Sequence, residues 1–189
     1  MILFFDTETT GLPKNWKAPV SDTSNWPRLV QLAYLMYSET GLQQKAVDFI
    51  VKPEGFTIPS DASAIHGITT AKANSTGKPL KTVLEDFKAA VEGATTIIAH
   101  NISFDEKIVG AEFYRLQIPN PMYGKKKICT MESTVNFCAI SGPYGYKWPK
   151  LEELYYKIFR SNFEEQHNAA MDIKATAKCY WELKKMGKI

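Results

Sequence analysis

The pattern of hydrophobic and polar positions predicts strands in the first part of the chain. Residues 1–5 form an apolar run that stops at Asp6, which is typical of a strand buried on both faces. Residues 28–38 and 43–52 are separated by a turn-like stretch and predict a hairpin that pairs with the first strand. Residues 13–27 are polar, contain three prolines and predict a long loop.

From Pro59 onward the pattern changes to helices that alternate with short strands. Residues 79–92 begin with proline, carry apolar residues at helical spacing and are followed by glycine, so they predict a helix. Further helices are predicted at 101–116, 131–140, 150–159 and 169–186, strands at 95–99 and 126–130, and an aromatic-rich loop at 141–148. This order predicts an α/β fold in which helices pack on the faces of one mixed sheet.

Length and composition favour a single globular domain over residues 1–189. Hydrophobic residues make up 44% of the chain and charged residues 23%, and no apolar run approaches the roughly 20 residues of a membrane span. Neither a signal peptide nor a membrane partner is expected. Three scattered cysteines argue against disulfides and zinc, and favour a reducing, cytoplasmic location. The net charge of +3 permits a polyanionic partner without requiring one.

Two acidic residues follow the first apolar run and share one face of the chain. Asp6 and Glu8 are two residues apart, and side chains with this spacing point to the same side of an extended segment. The following Thr9, Thr10 and Gly11 allow the chain to turn away. Two carboxylates beside a buried strand are costly unless a positive charge lies between them.

Two predicted helices each direct one aspartate towards the core. Asp105 lies within the apolar stripe of its helix, and Asp172 lies about 200° around its helix from the solvent-facing Lys174. Both aspartates end the same pattern, H-N-x-x-x-D, at residues 100–105 and 167–172. The asparagine of each pattern is a good N-cap, which places each aspartate near the positive end of a helix dipole.

A divalent cation would explain why four such acids lie where charge is unfavourable. A single inward acid can be satisfied by an arginine or by backbone N–H groups, but the chain has only Arg28, Arg115 and Arg160. Two carboxylates about 4 Å apart repel by roughly 4 kcal/mol at an effective dielectric constant near 20. Mg²⁺ or Mn²⁺ would remove this repulsion and prefers oxygen ligands, so either fits better than zinc.

These residues resemble the motifs of the DEDD superfamily of 3′→5′ exonucleases, which includes the proofreading epsilon subunit of bacterial DNA polymerase III, oligoribonuclease and ribonuclease T. The three family motifs correspond to residues 2–12, 100–105 and 167–172, and residues 65–69 are similar to a further family segment. The histidine branch is indicated, because the tyrosine of the other branch is replaced by Asn168. The ordered motifs cover nearly the whole chain.

The resemblance implies a ribonuclease H-like fold with a central five-stranded mixed sheet, helices on both faces and two Mg²⁺ ions, for which Mn²⁺ would substitute. It implies that Asp6, Glu8 and Asp172 hold one ion, and that Asp6 bridges to a second ion supported by Asp105. His167 is implied as the general base. The sequence pattern alone leaves His100 and His167 open, because each precedes an aspartate by five residues.

The resemblance also implies that a single-stranded DNA or RNA 3′ end enters beside the first motif, and that a DNA polymerase subunit is a possible partner. The implied substrate-binding residues are Thr9, Leu12, Ile65, His66, Asn101 and Phe104. Alternatively, Leu12, Ile65 and Phe104 belong to the core. The loop aromatics either stack on bases or cover the core, and they comprise Trp16, Trp26, Tyr144, Tyr146 and Trp148.

The function expected from these features is a 3′→5′ exonuclease that releases nucleoside 5′-monophosphates, with DNA proofreading or RNA 3′-end trimming as its role. A non-catalytic nucleic-acid-binding module on the same fold is an alternative of another class. A phosphatase of the haloacid-dehalogenase type is a further alternative, because FFDTETT resembles its D-x-D-x-T motif. That motif requires an aspartate where Glu8 stands, and the later acidic pair of that class is not found.

Overall fold

Five strands form one mixed sheet in the computed structural model, which describes residues 1–163 and 168–189. The strands are β1 (Ile2–Thr9), β2 (Leu29–Tyr37), β3 (Gln43–Ile50), β4 (Thr96–Ala99) and β5 (Lys126–Cys129). Their order across the sheet is β3-β2-β1-β4-β5. β1, β2 and β3 pair antiparallel, whereas β4 and β5 continue the sheet in parallel on the other side of β1.

The helices follow the strands and connect them. They are α1 (Ser60–His66), α2 (Thr70–Thr76), α3 (Leu80–Glu92), α4 (Ile102–Arg115), α5 (Thr130–Ser133), α6 (Val135–Cys138), α7 (Leu151–Phe159) and α8 (Ala169–Lys185). A small hairpin of β6 (Ser141–Gly142) and β7 (Gly145–Tyr146) precedes α7. Among the described residues, no helix is both long enough and apolar enough to cross a membrane.

Side chains of β1 alternate between two separate cores, one on each face of the sheet. Phe5 packs on Phe87 of α3, with ring centroids 5.4 Å apart, and α4 covers the same face. Phe4 packs on Tyr180 of α8 on the opposite face, with ring centroids 5.3 Å apart. Each fully buried aromatic of this kind stabilises the fold by about 1.5–3 kcal/mol. The predicted mixed sheet with helices on both faces is confirmed.

The structure corrects the sequence-based element boundaries in three places. β1 continues through the acids to Thr9, because these polar residues pair with β2, with one shift in register between Glu8 and Thr9. The helix predicted at 131–140 is interrupted at Thr134, whose backbone leaves the helical conformation with φ −112° and ψ 9°, so α5 and α6 are separate. The loop predicted at 141–148 contains the β6–β7 hairpin.

Candidate metal centre and substrate cleft

β1 supplies two carboxylates on the sheet face that α8 covers. Asp6 pairs with Ala33 and Glu8 pairs with Gln31 of β2, so the extended backbone holds both positions firmly. The even-numbered residues of β1 face α8, and both acids are therefore directed towards the start of that helix. The prediction that Asp6 and Glu8 share one face is consistent with this register.

α8 supplies the third carboxylate from its first turn. The Asn168 side chain accepts a hydrogen bond from the backbone N–H of Ala170 at 3.0 Å, which caps the helix as the sequence predicts. This cap fixes the start of α8, and the backbone N–H of Asp172 donates to the Asn168 carbonyl at 2.9 Å. Asp172 therefore reaches the sheet from a position defined by both helix and cap.

Asp105 approaches from the other face of the sheet. It is buried in the first turn of α4 and accepts a hydrogen bond from the Thr7 hydroxyl at 2.7 Å. Thr7 lies between Asp6 and Glu8 in β1, so this bond places Asp105 at the border of the acidic group. The prediction that Asn101 caps α4 with its side chain is wrong, because Asn101 adopts a left-handed conformation, with φ 70°, and makes no side-chain cap bond.

Three of the four acids converge closely enough to share one metal ion. Carboxylate oxygens of Asp6, Glu8 and Asp172 all lie within 4.8 Å of one another. This half-buried group, as far as the described residues go, offers oxygen ligands only, and such ligands suit a hard dication such as Mg²⁺ or Mn²⁺. Asp105 lies outside this group of three, which agrees with the supporting role that the resemblance implies.

The electrostatics of the site favour a bound cation. Burial, reinforced by Asp105, Asp172 and Glu8, raises the pKa of Asp6 well above its ordinary value. Burial, followed by the charges of Asp172 and Asp105, raises the pKa of Glu8 to about 8. Burial raises the pKa of Asp105 to about 7, although the Thr7 hydrogen bond opposes this shift. Near neutral pH these carboxylates therefore do not all ionise without a free-energy cost. A bound dication would offset that cost by stabilising the ionised forms.

Two of the three arginines, Arg28 and Arg115, are engaged away from this group. Arg28 and Arg115 both bind Glu112, a buried acid of α4, at 2.9 Å and 3.0 Å. Among the ion pairs of the described residues, none involves Asp6 or Glu8. An ion pair with arginine therefore does not explain these two acids within the part of the chain that the structure describes.

Of the two candidates for the general base, His100 is among the described residues and its contacts are defined. The ring of His100 is held at both nitrogens, by the Thr130 hydroxyl at Nδ1 and the Pro149 carbonyl at Nε2, each 3.0 Å away. A carbonyl only accepts, so Nε2 carries the proton and Nδ1 accepts from Thr130. Burial lowers the pKa of His100 to about 4, which keeps the ring neutral. His167 lies outside the described residues.

The residues expected to contact the strand divide into exposed and buried ones. Leu12 and Ile65 are 73% and 61% exposed, so the alternative that they belong to the core is wrong. Gly11 adopts a φ of 145°, which favours glycine, directly before Leu12. His66 is buried, and its Nδ1 accepts from the backbone N–H of Ile68 at 3.1 Å. The Thr9 hydroxyl donates to the Gly11 carbonyl at 2.6 Å.

The loop aromatics also differ in burial, since Trp26 is buried and Trp148 is exposed. Trp26 is only 3% exposed and donates its indole N–H to the Pro19 carbonyl at 3.0 Å, so it covers the core and does not stack on bases. Phe104 is half-buried and packs against Trp16, with ring centroids 5.7 Å apart. Trp148 is 64% exposed.

A cleft of about 460 Å³ opens onto the acidic group. Its lining residues are Asp6, His100, Asn101, Met131, Trp148, Pro149, Lys150, Leu151, Glu152, Phe163 and Asp172. The volume is in the usual range for small-molecule sites. The sequence did not mark residues 149–152 as part of the site, because neither a loop nor the start of a helix shows in its own pattern which other segment it lies beside. Next to this segment, the sequence singled out Trp148 as a loop aromatic that either stacks on bases or covers the core.

A family model described as "Exonuclease" matches residues 3–180. The chain therefore belongs to this exonuclease family. The match extends over nearly the whole chain and includes Asp6, Glu8, Asp105 and Asp172.

The chain is similar to segments of two DNA polymerase III proteins. The chain is 28% identical over 193 residues to a DNA polymerase III of PolC type from Listeria welshimeri, covering 97% of this chain and 11% of that protein. It is 29% identical over 188 residues to a DNA polymerase III subunit epsilon-like protein from Rhodobacter capsulatus, covering 95% and 23%. The chain thus spans only a small part of the length of these relatives.

Among solved structures, a zinc-bound complex of E. coli exonuclease I with single-stranded DNA resembles this chain with a TM-score of 0.77. The identity is 22%, and the match covers 97% of this chain and 40% of that one. At this identity the likeness concerns the fold, which is ribonuclease H-like as the sequence motifs imply.

Proposed function

We propose that this chain is a metal-dependent 3′→5′ exonuclease that releases nucleoside 5′-monophosphates from single-stranded or frayed 3′ ends. The convergence of Asp6, Glu8 and Asp172 within 4.8 Å supports the proposal most strongly. Asp6 and Asp172 also line the open cleft, so a phosphate in that cleft would lie beside the group. Membership of the exonuclease family supports the same activity independently.

The donor set fits a pair of Mg²⁺ ions, with Mn²⁺ as a substitute. Asp6, Glu8 and Asp172 would hold the first ion, and Asp6 and Asp105 would hold the second. Bound ions of this kind lower the pKa of a water ligand and neutralise the entering and leaving oxygens of a phosphodiester. The protein's own contribution is a fixed backbone, since β2 pairs with β1 at both Asp6 and Glu8 and α8 begins at a formed cap.

His167 is proposed as the general base that removes a proton from the attacking water. The proposal rests on the family resemblance and on the position of His167 directly before Asn168, the cap of α8. Because both ring nitrogens of His100 are engaged, His100 is poorly suited to this task. The water oxygen bonds to phosphorus, the bond to the preceding nucleotide's 3′ oxygen breaks, and that oxygen takes a proton.

We further propose DNA as the substrate and proofreading beside a DNA polymerase as the role. The named relatives are DNA polymerase III proteins, and the similar E. coli exonuclease I binds single-stranded DNA. The exposed Leu12 and Ile65 suit contact with unpaired bases. A panel of single-stranded DNA, mismatched duplex DNA and short RNA tests this choice, and faster hydrolysis of the RNA would favour the 3′-end trimming alternative.

The test of activity uses an oligonucleotide labelled at its 5′ end, with Mg²⁺ and with EDTA. Progressive shortening in Mg²⁺ and none in EDTA is expected, and a 3′-labelled strand should release labelled mononucleotide first. Glu8→Gln should abolish shortening, whereas Glu54→Gln, at an exposed glutamate, should not. Unchanged length with loss of a terminal phosphate would indicate a phosphatase. Binding without any cleavage would indicate a non-catalytic module.

A further inference from the structure

We infer that the segment 148–150 forms a preorganised wall of the cleft, on which Trp148 stacks one base of the bound strand and Lys150 contacts a phosphate. This inference rests on the proposed function, because it identifies how that site would hold its substrate. The segment, called here the 148–150 wall, stands in the same cleft as Asp6 and Asp172.

The exposure of Trp148 is the first observation that supports the wall. A tryptophan that is 64% exposed leaves a large aromatic surface in water, and Trp148 does so inside a concave site instead of on an outer surface. Every base has a flat aromatic face, so an exposed indole in a nucleic-acid cleft is suited to stacking irrespective of sequence. The cleft volume of about 460 Å³ suits a ligand as large as a nucleotide.

Anchoring of the wall is the second observation. The protonated Nε2 of His100 donates to the Pro149 carbonyl at 3.0 Å, at the centre of the segment. The backbone N–H of Lys150 donates to Glu153 Oε2 at 2.8 Å, and Lys147 forms an ion pair with the same glutamate. The wall therefore leads into α7 with both ends fixed, and little conformational entropy remains to be lost on binding.

The charge distribution is the third observation. Lys150 is the one lysine or arginine among the described residues that line the cleft. Its side chain is 71% exposed and lies 3.6 Å from the Glu152 carboxylate, an exposed ion pair that is worth little and that a phosphate can replace. The remaining charged side chains of that lining, Asp6, Glu152 and Asp172, are acids. A strand whose terminal phosphate lies at the acids therefore meets a single basic side chain on the wall, which suits contact with one further phosphate.

His100 acts in this arrangement as a positioning residue. It contacts the wall through Pro149 and the start of α5 through Thr130, so it connects the two sides of the cleft. Replacement by alanine would free the Pro149 carbonyl and loosen the wall. Replacement by glutamine leaves an N–H donor that can reach the same carbonyl.

The test measures binding of fluorescent single-stranded DNA by anisotropy, with Ca²⁺ in place of Mg²⁺ and the strand verified as intact. An abasic nucleotide is moved through the first four positions from the 3′ end. In the unmodified protein, an abasic nucleotide at one position should weaken binding roughly 5- to 150-fold. Trp148→Ala should weaken binding of the intact strand similarly and should remove the extra effect of the abasic nucleotide at that position.

Matched variants separate stacking from a loss of structure. Trp148→Phe should keep the abasic pattern, and Tyr144→Ala, at a fully exposed aromatic residue outside the cleft lining, should bind like the unmodified protein. Lys150→Ala should make the logarithmic dependence of affinity on salt shallower by about 0.7. His100→Ala should reduce the position-specific loss of affinity that the abasic nucleotide causes, and His100→Gln should restore it.

The inference is overturned if the unmodified protein shows no abasic effect at any of the four positions. It is also overturned if Trp148→Ala weakens binding of every abasic strand by the same factor as the intact strand. Failure of the proposed function looks different, since the unmodified protein would then leave labelled DNA intact in Mg²⁺.

Discussion

The stability of the metal-free protein should fall as the pH rises from 4.5 towards 8, and Glu8 should cause much of this fall. Burial, together with the charges of Asp172 and Asp105, raises the pKa of Glu8 from 4.5 to about 8. Between these values the folded chain holds a proton on Glu8 that the unfolded chain has released. The contribution of Glu8 to the free energy of unfolding is therefore fully present below pH 4.5 and decreases as the pH rises towards 8.

The size of the effect follows from the same two values. One pKa unit corresponds to about 1.4 kcal/mol, so the difference between 4.5 and about 8 sets an upper limit of about 5 kcal/mol for Glu8. In a chain of this length, 1 kcal/mol changes the melting temperature by about 2–4 °C. A decrease in Tm on the order of 10 °C between pH 4.5 and pH 8 is therefore expected in EDTA.

Differential scanning calorimetry in EDTA measures this dependence, with two variants for comparison. Glu8→Gln cannot ionise and should flatten the decrease, while Glu54→Gln, at an exposed glutamate, should follow the unmodified protein. Addition of Mn²⁺ at about one hundred times its dissociation constant should restore about 2.7 kcal/mol at pH 8. If Glu8→Gln retained the full decrease with pH, the electrostatic description of the site would be refuted.

Three further predictions concern catalysis, binding and folding. His167→Ala should lower the single-turnover rate of hydrolysis by roughly 10²–10⁴, and His100→Ala far less; equal losses would contradict the assignment of the base. Leu12→Ala should weaken binding of single-stranded DNA in an anisotropy assay without changing Tm, because Leu12 is exposed; a lowered Tm with unchanged binding would show a structural role instead. Glu112→Ala should destabilise the protein by about 3 kcal/mol in urea denaturation, because two arginines would lose their shared buried partner; an unchanged midpoint would contradict that role.

The helices and strands that local periodicity determines could be predicted from the sequence. α3 is an example, since all five apolar positions that gave its pattern are buried: Leu80, Val83, Leu84, Phe87 and Val91. The end of β1 was missed, because Asp6 to Thr9 are extended through pairing with β2, and a partner strand distant in sequence leaves no local signal. The apolar pattern thus predicts the first half of β1, whereas pairing with β2 determines the second half.

Within the candidate site, residue spacing predicted which acids take part but not how exposed the neighbouring side chains are. The two-residue spacing and the repeated H-N-x-x-x-D pattern singled out four acids. The fold brings Asp6, Glu8 and Asp172 together and places Asp105 at the border of that group. Spacing did not show which loop tryptophan is exposed, and Trp26 is buried whereas Trp148 lines the cleft. Exposure depends on what packs above a side chain, and for Trp26 one such neighbour is Lys107, which is remote in sequence and whose Nζ lies 5.2 Å from the ring centroid.

Diffraction from a crystal soaked in Mn²⁺ most directly tests whether this acidic group is a metal centre. Data collected near the manganese absorption edge should show an anomalous peak within coordination distance of Asp6, Glu8 and Asp172, with a second peak near Asp6 and Asp105 when a nucleotide is present. The same soak of Glu8→Gln should show a weakened first peak. No anomalous density among these carboxylates would contradict the proposed metal-dependent function.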